Sequence, residues 1–393
     1  MLLYSLFKRG GFKVYNWGIK ELLEEKKELL KRYKYETNPS IKKELLSVIY
    51  SLNETIKEEK GQDEEIVYLT DEERLENIRS DIERYKTYYS IVSFFQNSLS
   101  KYYDKIDYLE ELMIEKVGLN ESYGKITGAK VSNDRAFALT NLFYKRHIPS
   151  LYPIFESFYK KRFNSVRFIE SISDQTVANA TYIWPTKRYF MNCLKDDDIS
   201  KISNLIHEYG HIISFALNPK ELYYPRYPMF AEVASIFPEI IALYENDGHH
   251  DETQLLYERY CNLPALLGNS IQLVLHSVVL NLWEENNYQL NDKFFHDLDY
   301  YYDTDKEEFD SVLNTYIDNQ GIYIVSYMVA IELFHLYKID KNKALKIFES
   351  ILRFPYDGNL KEYICSVLNI GEHLEEESAL LIDDLSLALK RKM

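Results

Sequence analysis

Glycine and proline are scarce in this chain of 393 residues, at 13 and 10. Folds made of many short strands need those residues at their turns, so the scarcity argues against a β-rich architecture and for helices. Cysteine is scarcer still. Cys193, Cys261 and Cys365 are scattered, form no C-x-x-C pair, and by their odd number leave at least one thiol free, which excludes a disulfide-stapled scaffold. Positive charge is in deficit, with 47 Lys plus Arg against 62 Asp plus Glu and a formal net charge of −15. A cationic surface that tracks phosphates is therefore not expected, and neither is a nucleic-acid partner. Long apolar runs are also missing. The longest, Ile271 to Trp283 and Gly321 to Tyr337, contain His276 and Glu332 and fall short of the roughly 20 residues of a membrane-spanning helix, so they read as buried core helices. The brief apolar stretch before Lys8 and Arg9 inverts the order of a secretory signal, and the expectation is a cytoplasmic protein with no membrane partner.

The residues that are present are patterned for helices. From Gly18 to Lys60, Leu22, Leu23, Leu29, Leu30 and Tyr33 recur at helical spacing, and Asn38-Pro39-Ser40 interrupts the run, which predicts an antiparallel helical hairpin with a charged outer face. A joint is expected at Gly61 to Glu65, then helices from Thr70 to Phe163 with breaks near Gly118, Gly124 to Gly128 and Ile148-Pro149. The texture changes after Asn164. Thr176 to Trp184 and Lys187 to Cys193 are rich in β-branched and aromatic residues around Pro185-Thr186, and they predict a β-hairpin in an otherwise helical chain. An isolated hairpin is marginal in water, so it has to pack on something. Asp196 to Asp198 then cap a helix from Ile199 to Asn218, which Pro219 stops, and a further helix is expected from Met229 to Asn246.

The first of these two helices carries His207-Glu208-Tyr209-Gly210-His211, an H-E-x-x-H pattern. Histidines four residues apart share one helical face, so both imidazoles can reach a single tetrahedral Zn²⁺, one ion per chain. Glu208 then sits beside the metal, where it can take a proton from the attacking water and pass it to the leaving amine. Catalytic zinc takes three protein ligands, and the next helix offers Glu232 and Glu239 on one face among Phe230, Val233, Ile236 and Phe237. A carboxylate in apolar surroundings is costly unless it binds a metal or a partner, which makes Glu232 the expected third ligand. Glu239 is expected either to orient a ligand histidine from behind or to be an ordinary carboxylate near a helix boundary. Pro238 lies between the two and leaves the carbonyl of Ala234 without its helical partner, which predicts a bend.

The pair formed by H-E-Y-G-H and the run Phe230 to Glu239, with Glu232 lying 25 residues after His207, resembles the zinc oligoendopeptidases of the oligoendopeptidase F and thimet oligopeptidase family. Tyr108 to Met113, Ile148 to Arg162, the hairpin and Leu345 to Ile370 are similar in order and character, so the resemblance covers about Lys101 to the C-terminus. It implies that His207, His211 and Glu232 are zinc ligands and Glu208 the catalytic base. It also implies a mostly α-helical, bilobed metallopeptidase with a deep cleft and one small β-sheet near the zinc. Residues 1–100 would form a reduced N-terminal wall of that cleft and residues 101–393 the catalytic domain. The chain departs from the family in three respects: it is short, it has Pro238 where a polar residue is usual, and Asn314 to Tyr327 lacks the family's histidine. The family's oxyanion-binding tyrosines correspond to Tyr323 and Tyr327, although in a chain of 35 tyrosines either also fits a core role.

The reaction so implied is hydrolysis of short unstructured peptides, with the substrate backbone adding to an exposed strand of the hairpin, Lys187 to Cys193. Two alternatives stand beside it: a protease dedicated to maturing one leader or signal peptide, and a non-catalytic binding protein stabilised by metal. A structural zinc takes four protein ligands and needs no glutamate beside the first histidine, which favours the enzyme. Gly248-His249-His250-Asp251 reads as a polar turn, His276, His296, His335 and His373 as packing or surface residues, and Cys193 as a buried inert thiol.

Overall fold

The computed structural model describes residues 19–37, 131–169, 178–183, 187–194, 200–218, 230–245, 321–355, 358–370 and 372–391, with isolated residues at 42, 45, 49, 285, 286, 291, 293, 294 and 296. The joint at Gly61 to Glu65, the boundary at residue 100, the Gly248 to Asp251 turn, Cys261 and His276 lie outside them. So do the residues on which the second arm of the N-terminal hairpin and a two-lobed cleft would depend.

The described part is mostly helical with one small sheet. In order it runs α1 (Ile19–Tyr35), α2 (Asn133–His147), α3 (Tyr152–Tyr159), β1 (Val166–Ile169), β2 (Asn179–Ile183), β3 (Arg188–Leu194), α4 (Ser200–Leu217) and α5 (Val233–Glu245). Further along come α6 (Gly321–Ile339), α7 (Lys341–Leu352), α8 (Leu360–Val367) and α9 (Leu374–Arg391). Local chemistry sets the ends. The Ser132 hydroxyl accepts from the Arg135 N–H at the start of α2, and Lys145, Arg146 and His147 fill its last turn. Asp340 and Asn359 cap α7 and α8 in the same way. Among the described residues no helix is long and apolar enough to cross a membrane.

The sheet has three strands in the order β1-β3-β2. The expected hairpin is present as β2 and β3, antiparallel, with Ile183 opposite Arg188, and Lys187 takes a positive φ of 53° at its turn. The third strand was not expected: β1 pairs with β3 in parallel, Val166 opposite Met191. Both edges of β3 are therefore occupied. A substrate backbone has no place to add along Lys187 to Cys193, contrary to the sequence expectation, and among the described residues the open edges belong to β1 and β2. A four-residue strand such as Val166 to Ile169 is too short to announce itself by periodicity.

One core joins these elements. α4 packs on the sheet and on α2 to one side and on α5 to the other, and α6 covers α5. Its aromatic centre is Phe155, stacked on Tyr144 at 4.3 Å and edge-on to Tyr209 at 4.9 Å. Phe237 of α5 meets Phe348 of α7 at 4.9 Å. The Tyr144 hydroxyl donates to the carbonyl of Ile206 at 2.8 Å, one residue before His207, and so holds α4 at the site itself. At the far end, Glu25 of α1 is buried in an ion pair with Arg188 of β3, which seats the N-terminal helix on the hairpin.

Candidate active site

α4 runs through the core with His207 and His211 one turn apart. Their rings stand edge to face at 5.0 Å, and Phe215 stacks on His211 from the next turn. α5 starts later than its sequence pattern predicts. Phe230 to Glu232 form a tight turn, and the Glu232 carbonyl accepts the N–H groups of Ser235 at 3.1 Å and Ile236 at 2.8 Å. Glu232 thus occupies the cap position before the helix rather than a place on its face, and its side chain is free to turn toward α4.

The three expected ligands meet there. Nε2 of His207 and Nε2 of His211 each lie 3.3 Å from Oε2 of Glu232, and one donor atom from each residue falls within 4.8 Å of the others. Atoms about 2.0 to 2.1 Å from a tetrahedral zinc are about 3.3 to 3.4 Å apart, so the two spacings are those of a zinc tetrahedron's edges. Oε2 of Glu232 is buried and, among the described residues, has no hydrogen-bond partner even at that distance. A buried carboxylate oxygen that two ring nitrogens approach without a hydrogen bond suits a metal ligand. The residues fit the metal. Glu239 reaches the other end of the same imidazole, its Oε2 accepting from Nδ1 of His207 at 3.1 Å. A carboxylate so placed can orient the ring and favour the tautomer whose Nε2 is free for a ligand bond.

The charges of these groups are tightly coupled. Burial pulls the His207 imidazole down, but the Glu232 and Glu239 carboxylates outweigh it and hold its pKa well above the ordinary histidine value. Burial pushes the Glu232 carboxyl up, but the charges of His211 and His207 outweigh it and hold it far below the usual carboxylate range. Glu208 is 3% exposed, its Oε2 has no partner among the described residues, and burial raises its pKa against the pull of His207 and His211. A carboxylate in that condition is a stronger base than an exposed one.

The tyrosines enter from α6, which packs on α5. Tyr323, 37% exposed in the first turn, feels the Glu232 charge most strongly, then burial, then Glu208, and its pKa is pushed well up. Tyr327 is half-buried one turn on; its pKa is raised first by burial and then by Glu239 and Glu232. Both phenols stay protonated and can donate. Cys193 is fully buried behind Glu208 and its thiol is pushed up by that burial, as an inert cysteine should be.

Sequence reasoning missed two features. Gly210 is pressed against α5, which is visible only in three dimensions. His335 and His373, read as isolated, stack at 4.0 Å across α6 and the turn before α9, each Nδ1 on a buried carboxylate, Glu377 at 2.5 Å and Glu332 at 2.9 Å. Glu332, the charge that interrupts the apolar run of α6, is thereby explained.

The fold is that of helical peptidases. PZ peptidase A, solved with an inhibitor, superposes with a TM-score of 0.51 at 14% identity, over 98% of this chain and 80% of that one. A putative peptidase from Chlamydophila abortus gives 0.52 at 13%, over 89% of this chain and 61% of that one. A putative oligoendopeptidase F from Bacillus anthracis str. Ames gives 0.46 at 13%, over 96% of this chain and 76% of that one. The first two neighbours are peptidases, and at this identity what they share with the chain is the fold. No family model and no curated protein matches the chain.

Proposed function

We propose that the protein is a zinc-dependent endopeptidase that hydrolyses short unstructured peptides in the cytoplasm. The observation that carries this reading is the convergence of His207, His211 and Glu232 at tetrahedral spacing beside the buried carboxylate of Glu208, whose Oε2 has no hydrogen-bond partner among the described residues. A zinc ion held by those three residues would supply Lewis acidity, which makes water nucleophilic at neutral pH and polarises a carbonyl. The chain's own residues do the rest. Glu208 accepts the proton of the attacking water at its free carboxylate oxygen and returns it to the leaving amine, and its burial keeps it basic enough for the first transfer. Tyr323 donates a hydrogen bond to the oxyanion that forms on the scissile carbonyl, with Tyr327 behind it against Glu239. An open edge of the sheet, of which β2 on α4 offers one, suits an extended peptide, because pairing there requires a backbone free of its own structure.

The test separates chemistry from metal. Glu208→Gln keeps shape and leaves the ligands in place, so bound zinc, read by elemental analysis, should stay near one per chain while peptide turnover falls by roughly 10² to 10⁴. Undiminished turnover in that variant refutes the mechanism.

A further inference from the structure

Gly210 precedes His211 on α4 and is set against the backbone of α5. A Cβ at Gly210 would lie 2.3 Å from the carbonyl oxygen of Ala234 and 2.8 Å from Cα of Ser235, where ordinary contact begins at 3.4 Å. These obstacles are backbone, not the far end of a pliable side chain. The Ala234 carbonyl is itself unusual, because its helical partner would be the N–H of residue 238, and Pro238 has none. The helix nevertheless continues through Pro238 to Glu245. A glycine on one helix thus faces a carbonyl released from its ladder on the other, at a distance that leaves no room for a side chain.

We infer that Gly210 and Pro238 are positioning residues: their notch sets the separation of α4 and α5 on which the meeting of His207, His211 and Glu232 depends. The inference rests on the reading of those three as metal ligands. Glu232 stands two residues before Ala234, and its carbonyl is tied to Ser235 and Ile236, so whatever displaces the Ala234 to Ser235 backbone displaces the third ligand. Relieving the clash of an alanine at 210 needs a shift of about 1 Å, whereas ligand distances tolerate about 0.2 Å. A contact that only held the core together would make stability and metal affinity fall together. A positioning contact separates them.

Zinc dissociation constants of the full-length protein, taken by competition with a chromophoric chelator, test this alongside melting temperature and far-ultraviolet dichroism. Gly210→Ala should bind zinc at least about 100-fold more weakly, and Pro238→Ala, which returns a donor to Ala234 and strengthens α5, about 10- to 100-fold more weakly without a lower melting temperature. Ala344→Val, which overpacks the core in α7 away from the site, should lower the melting temperature and leave the zinc constant alone. Wild-type zinc affinity in a folded Gly210→Ala protein overturns the inference. If that variant does not fold, unchanged affinity in Pro238→Ala overturns it. A wild-type protein that binds no zinc refutes the metal-centre reading itself and takes the notch with it, a result distinct from tight wild-type binding with unaffected variants.

Discussion

Removing the Glu239 carboxylate separates a ligand from a residue that orients one. Its Oε2 accepts from Nδ1 of His207 at 3.1 Å, while Oε2 of Glu232 lies 3.3 Å from Nε2 of the same ring. The two side chains in the Glu239 bond are 18% and 15% exposed, so water screens it only in part. A hydrogen bond to a charged group in such a place contributes about 1.5 to 3 kcal/mol. At about 1.4 kcal/mol per factor of ten, Glu239→Ala should weaken zinc binding by roughly 10- to 150-fold. Glu239→Gln keeps an acceptor oxygen and loses the charge, so its loss should be no more than about tenfold. Glu232→Ala removes a donor atom and should abolish stoichiometric binding. The assay is chelator competition on each purified variant, with elemental analysis at saturation. If Glu239→Ala binds as tightly as the wild type, the orienting role is wrong. If Glu232→Ala keeps a full zinc while Glu239→Ala loses it, the two carboxylates have been assigned the wrong way round.

Two further outcomes follow from the structure. Tyr323 lies under the charges of Glu232 and Glu208, and Tyr327 under burial and Glu239, so Tyr323→Phe should lower kcat by roughly 10² with little change in KM, while Tyr327→Phe does less; equal and full kcat in both variants would remove α6 from the chemistry. The hydrogen bond to Glu332 raises the His373 pKa, burial opposes it, and Glu372 and Glu376 add to the rise. A group whose folded pKa is raised stabilises the fold fully below its unfolded value of about 6.5 and loses that contribution as pH climbs through the folded pKa. The melting temperature should therefore fall more steeply above neutral pH in the wild type than in His373→Asn, and parallel profiles would show that the pair with Glu332 is energetically silent.

How much of this was legible in the chain divides along physical lines. Helices and candidate ligands are local matters. The spacing of His207 and His211 fixes them on one face, Pro219 and the neighbouring pattern bound α4, and two glutamates in an apolar run stand out as carboxylates that need a partner, all without knowledge of the fold. The hairpin was legible because β-branched and aromatic residues flank a turn. What sequence could not settle depends on elements far apart in the chain. β1 occupies the edge of β3 that a substrate was expected to use, since a four-residue strand has too few alternations to be seen. Glu232 caps α5 instead of riding on it, because the first hydrogen bonds of that helix are made by Ser235 and Ile236. Glu332 looked like a flaw in an apolar helix until His373, 41 residues later, closed on it. Gly210 read as the middle of a motif and became the point where two helices touch, because only tertiary packing brings the Ala234 carbonyl, 24 residues onward, into the space a side chain would have filled.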